Sequence, residues 1–207
     1  LALRVQAVKA YQAARFARCY ADLLAHPRYA AAARFFLDEL YGPQEFSRRD
    51  AQFERVVPAL VRLFPGELVG TVSQLGELHA LTEALDDSAA LHLPAPADGT
   101  APACSAAAYA TAWQGAGQAP LRERQITLTL AIGTALDGYT RSRLMRTTLR
   151  MMRGPAQAAG LQDLQRFLES GFDAFGAMRG AEHFLATVAL RERALAAALF
   201  APDAPAL

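Results

Sequence analysis

The spacing of the apolar residues restricts this chain more than any other feature. They recur every three or four positions over almost the whole length, and nowhere alternate long enough to suggest a strand. A period near 3.6 places such residues along one side of an α-helix. The sequence therefore predicts an all-α fold, an irregular bundle of about seven to nine helices in a single domain.

Proline and glycine mark the expected breaks. A first helix is expected over about 2–25, ended by His26-Pro27, because the residue before proline avoids the α region. A second covers about 28–41 and stops at Gly42-Pro43. Ser47 reads as the cap of a third, with Asp50 in its first turn, running to about Phe64 and kinked at Pro58. Pro65-Gly66 opens a fourth, to about Ala90, with Leu68, Val72, Leu75, Leu78 and Leu85 as its buried stripe. LPAPADGTAPA, from Leu93 to Ala103, is the clear loop, at about 93–103. It divides two helical halves, neither large enough for a comfortable core of its own. Beyond it a helix is expected around 105–114, and a long one over about 121–152, ended by Gly154-Pro155. Another spans about 161–178, and after Gly180 the last runs to about Phe200. The tail APDAPAL is expected to fray.

Composition narrows function mainly by exclusion. A chain of 207 residues is sized for one domain. Charged residues make up 20%, a slightly low share that suggests surface covered by a partner. The net charge of +1 provides no field to attract nucleic acid or an acidic membrane. Lys9 is the only lysine; every other cationic side chain is arginine. Cys19 and Cys104 lack metal-ligand or redox spacing, so a reducing, cytoplasmic setting is expected. The longest uncharged apolar run, Ile126 to Leu136, is too short to cross a bilayer. The opening residues read as an amphipathic helix rather than a signal peptide. Because several helices are apolar on more than one side, a second copy or another protein is the expected partner.

Three groups of side chains invite a functional reading. Gly76, His79, Glu83 and Asp86 fall three or four residues apart and share one helix face. Glycine one turn before a histidine leaves room beside the imidazole, and Glu83 could orient the ring. Gly76, His79 and Glu83 are thus a candidate ligand or haem site, with half a metal site and a plain surface pair as the competing readings. The ExxH spacing of a di-iron bundle is absent. Arg143, Arg146, Arg150 and Arg153 form a stripe at the end of the long helix, suited to an anion or an acidic partner. The competing reading is that the helix dipole and acids on neighbouring helices satisfy them. The turn LYGPQEFSRRD, from Leu40, sets aromatics beside Arg48, Arg49 and Asp50 at a helix N-terminus, where anions can bind.

Other features are structural in character. Gly133 and Gly138 inside the long helix point to close helix packing, and Asp137 with Arg141 has i,i+4 spacing. No nucleophile elbow or phosphate-binding glycine loop occurs, and His26, His92 and His183 have no partner by spacing. No catalytic residue and no metal site are assigned, and the chain is read as leaning away from an enzyme.

The stretch ARFFLDELYGPQEFSRRDAQFERVVPALVRLFP, from Ala33 to Pro65, resembles an uncharacterised family of proteobacterial helical proteins with the signature FFLxELYGPxxFSxRD. LGELHALTEALD, from Leu75, and GFDAFGAMRGAEHFLATVALRER, from Gly171, are similar to later parts of that family. The resemblance implies a bacterial, cytoplasmic, all-α protein, and carries no activity, cofactor or catalytic residue. LGELHALTEALD is also similar to the haemoglobin helix that bears the haem-binding histidine. That likeness implies a haem contact at His79 and extends to no other residue, since a proline-rich loop follows where a globin would turn into its last helices.

Two functions fit these observations. A non-enzymatic interaction or assembly module would show an exposed apolar patch, no deep pocket and a stable oligomer. A small-ligand or haem-binding sensor would show a pocket beside His79.

Overall fold

Each described segment of the chain is helical, and the helices follow the apolar period with two breaks that it conceals. The computed structural model describes residues 1–40, 66–94 and 103–201. In chain order the elements are α1 (Ala2–Cys19), α2 (Ala21–Ala25) and α3 (Ala30–Phe35), which runs into one π-helical turn (Phe36–Leu40). There follow α4 (Gly66–His92), α5 (Ala106–Ala116), α6 (Ala119–Thr140) and α7 (Arg143–Met151). The chain continues as α8 (Arg153–Ala158), α9 (Gln162–Met178) and α10 (Glu182–Phe200). There is no strand among the described residues. The expected third helix with Ser47 and Pro58, the turn from Leu40 to Asp50, the middle of the proline-rich loop and the tail beyond Ala201 lie outside the described residues.

The expected first helix is broken at Tyr20, whose backbone leaves the helical basin at φ −117° and ψ 19°. Burial of Tyr20 compensates for the break. Its ring stacks on Phe16 at 4.3 Å, and its hydroxyl donates to Glu192 at 2.8 Å. The expected long helix is broken at Arg141-Ser142. Ser142 takes an extended ψ of 116° and its Oγ accepts a hydrogen bond from the Met145 amide at 3.2 Å, so it caps a new helix. Gly154-Pro155 does not end a helix. Both residues lie in the first turn of α8, where a proline forfeits no intrahelical bond. The other punctuation acts as its chemistry suggests. His26 is extended before Pro27, Ser105 Oγ caps α5 through the Ala108 amide, and Gly180 takes φ +118° between α9 and α10.

Three core clusters form among the described residues: two larger ones that each draw on both sides of the proline-rich loop, and a small one of Leu78, Leu128 and Ile132. The first joins Phe16, Tyr20, Tyr29 and Phe36 to Phe175, Met178, Phe184 and Val188. Its rings stack where Phe16 meets Tyr20 and Phe36, and meet edge-on where Phe36 and Phe175 approach Phe184 at 5.4 and 6.4 Å. Burying a side chain of this size is worth about 1.5–3 kcal/mol. The second cluster joins Val8 and Tyr11 of α1, Ala89, Ala90 and Leu93 at the end of α4, Tyr109 and Trp113 of α5, and Leu199 of α10. Helix α1 spans both larger clusters, so the two halves of the sequence interleave.

Small residues set the closest approaches. A Cβ on Gly133 would lie 2.6 Å from Leu185 Cδ2, and one on Gly171 would lie 2.9 Å from Phe35 Cζ. The expected close packing therefore occurs at Gly133, whereas Gly138 has nothing within 4 Å of an added Cβ. Asp137 is buried and forms the expected i,i+4 ion pair with Arg141.

Candidate functional site

The face that carries Gly76, His79, Glu83 and Asp86 changes character along α4. His79 is exposed and Gly76 half-buried. Glu83 pairs with Lys9 Nζ at 2.6 Å. Asp86, seven residues on from His79, is only 2% exposed and accepts a hydrogen bond from Gln12 Nε2 at 2.9 Å. Both cross-helix pairs have the same separation of 74 residues, so α1 runs parallel to α4 and covers its C-terminal part. The four residues share a face, but the fold places Asp86 in the core and leaves His79 outside. There is no cluster of three His, Cys, Asp or Glu side chains able to hold a metal ion among the described residues.

Asp86 belongs instead to a buried polar seam along α1. Gln12 also donates to the Tyr109 hydroxyl at 3.3 Å. One turn further, Arg15 forks onto Glu192 at 3.2 and 3.3 Å, and Glu192 also accepts the Tyr20 hydroxyl. On the far side of Asp86, Arg122 lies over the Trp113 ring at 3.8 Å and donates to the Leu85 carbonyl at 3.3 Å. Burial pushes the Asp86 carboxyl up to about 6, against the Gln12 hydrogen bond and the charges of Arg122 and Lys9, which pull it down. Burial likewise pushes the Tyr109 phenol up to about 12. A carboxyl so deeply enclosed can fix helix register, since each member of the seam needs its partner in place.

The sequence contains a signal for this seam that spacing analysis of charged residues passes over. Gln12 sits one turn after Val8 and one turn before Phe16, so it interrupts the buried stripe of α1. A polar residue there must find a buried partner.

The arginine stripe is distributed differently from the expectation. Arg143 opens α7, whose positive N-terminal end disfavours a cation. Arg150 lies in its last turn. Arg153 begins α8 and forks onto Glu169 at 2.7 and 2.8 Å. Arg146 lies against the Phe172 ring at 5.5 Å. Arg150 lies near enough to Glu169 to help hold its carboxyl below the ordinary range, behind the closer Arg153. Beside Arg143 and Arg150 lie Leu144, 74% exposed, and Met151, 73% exposed, seven residues apart and therefore on one face. No residue of α7 is buried. The helix presents an apolar stripe next to a basic stripe, with Met145 and Leu149 half-buried on the inner side.

A cavity of about 110 Å³ lies between α3, α4, α6 and α9. Leu75 and Leu78 line it, but His79 does not.

No described helix is long and apolar enough to cross a membrane. No curated protein and no solved structure matches the chain. The model of a family described as "Domain of unknown function (DUF8198)" matches residues 1–206. The expected resemblance to an uncharacterised helical family is thereby met, and the chain belongs to the DUF8198 family of domains of unknown function.

Proposed function

We propose that this is a non-enzymatic interaction protein whose docking face is the outer surface of α7, and whose partner is an acidic, partly apolar segment of another protein. One observation carries the reading. Leu144 and Met151 stand exposed on a helix without a buried residue, flanked by Arg143 and Arg150. Exposed apolar groups edged by one sign of charge are the composition of a recognition surface. A symmetric contact between two copies through this face would set the arginines of one against those of the other, which favours an acidic partner over self-assembly. The displaced carboxyl of Asp86 is sealed in the core, out of reach of a substrate. We also place the protein in the bacterial cytoplasm; the unpaired thiols of Cys19 and Cys104 suit a reducing compartment.

Photo-crosslinking from position 144 in cells making the protein, read by mass spectrometry, tests the reading. The expected result is one acidic protein adduct, lost when Arg143→Glu and Arg150→Glu are combined. An adduct with a second copy would transfer the face to self-assembly. No adduct, or one indifferent to charge reversal, would overturn the proposal.

A further inference from the structure

The cavity between α3, α4, α6 and α9 holds about 110 Å³, well above the roughly 10–15 Å³ that a single water needs by the same measure. Protein interiors seldom leave such a space, because wall atoms facing a void lose their dispersion contacts. Its floor is formed by buried Phe36, Leu78, Ile132 and Phe175, and its rim includes the half-buried Val72 and Leu75. The space therefore adjoins the surface. Loose assembly does not account for it. Gly133 and Gly171 lie in its walls, and at both the helices approach so closely that a methyl group would collide with Leu185 or Phe35. A π-helical turn starts at Phe36, and turns of this kind recur at functional sites.

The walls decide what can occupy the space. Among the described residues they include no charged side chain. Their hydroxyls are engaged, with Thr129 donating to the Gln125 carbonyl at 2.9 Å and Thr71 bonded to Tyr139 at 2.9 Å. An anion or cation would lose its hydration and meet no opposite charge. Water needs two to four polar partners, which a hydrocarbon wall does not offer. A neutral hydrocarbon group would restore the missing contacts along the walls. We infer that this cavity is a binding site for a small neutral apolar molecule, a ring or short branched chain of about six carbons. The site is separate from the α7 face and does not depend on the role given to it.

Toluene is a suitable probe for the full chain carrying ¹³C-labelled leucine and isoleucine methyl groups. Titration is expected to shift the methyl resonances of Leu75, Leu78, Ile132 and Leu136, leave distant methyls such as Leu199 in place, and raise Tm. Benzoate has the same ring with a charge, and is expected to bind at least about tenfold more weakly. Leu75→Phe, which fills the space, is expected to weaken toluene binding by about tenfold or more without lowering the Tm of the unliganded protein. Absent shifts, or shifts spread over the surface, would overturn the inference. So would benzoate binding as tightly as toluene, or a folded Leu75→Phe chain of unchanged affinity. If that variant fails to fold, the methyl map of the unaltered chain decides.

Discussion

The two larger core clusters meet along α1 but are built on opposite terms. Around Phe16, Phe36, Phe175 and Phe184 the contacts are rings against rings, and any residue of the right bulk would contribute. Around Val8, Tyr109 and Trp113 four alanines lie among larger aliphatic and aromatic residues, and polar groups are enclosed with them: Gln12, Asp86 and Arg122 are all buried there. The first region supplies stability through area removed from water. The second supplies less area but specifies alignment, because sliding α1 along α4 by one residue would break Lys9–Glu83 and Gln12–Asp86 together.

The largest test of this contrast lies in the aromatic cluster. Phe184 is 0% exposed, and Phe184→Ala is expected to cost about 3–5 kcal/mol in urea unfolding. The loss should be the same at pH 5 and pH 7, because the rings that pack on Phe184 are those of Phe36, Phe175 and Tyr29 rather than carboxylates or imidazoles. A strong pH dependence of that loss would erase the distinction between the clusters.

The next effect belongs to Asp86. Its pKa in the fold, about 6, is above the ordinary 3.8. The protonated carboxyl thus favours folding, and this contribution is present in full below about 4 and lost as pH rises through about 6. Asp86→Asn cannot ionise. Relative to the parent chain it should gain on the order of 2–3 kcal/mol between pH 4 and pH 7, as chemical denaturation would measure. Parallel curves for the two proteins would show that Gln12, Arg122 and Lys9 hold the carboxylate better than burial opposes it.

Gln12→Leu removes the amide that donates to Asp86 and Tyr109 and should cost about 1–3 kcal/mol at neutral pH. The cost should shrink at pH 4, where Asp86 is protonated. Smallest is the combination Leu144→Glu and Met151→Glu on the exposed face of α7, expected to change stability by less than about 0.5 kcal/mol. A larger loss would mean that α7 contributes to the core rather than to a docking surface.

Much of the fold was legible because periodicity and punctuation are local. His26-Pro27, Ser105 and Gly180 act through their own backbones, so their neighbours in sequence suffice to read them. The breaks at Tyr20 and Ser142 were hidden because apolar residues keep the helical period across them, while the contacts that repay the break, such as Tyr20 to Glu192, span 172 residues. The candidate sites were legible only in part. Spacing correctly placed His79 and Asp86 on one face, but which end of that face is covered depends on where α1 lies, a long-range fact. The cavity leaves no pattern in sequence at all, because Leu75, Ile132 and Phe175 look like ordinary core residues until the space between them is seen.

Trp113 has a consequence of a different kind. It is the only tryptophan in the chain, and it lies buried beneath the Arg122 guanidinium, next to Tyr109 and Phe200. Its ultraviolet emission thus originates at a single place, inside the polar seam and away from the phenylalanine cluster. The protein carries its own optical gauge of that seam. If emission shifts to the red while circular dichroism still reports full helicity, the seam has parted with the aromatic cluster still closed. If both signals move together, the two clusters unfold as one.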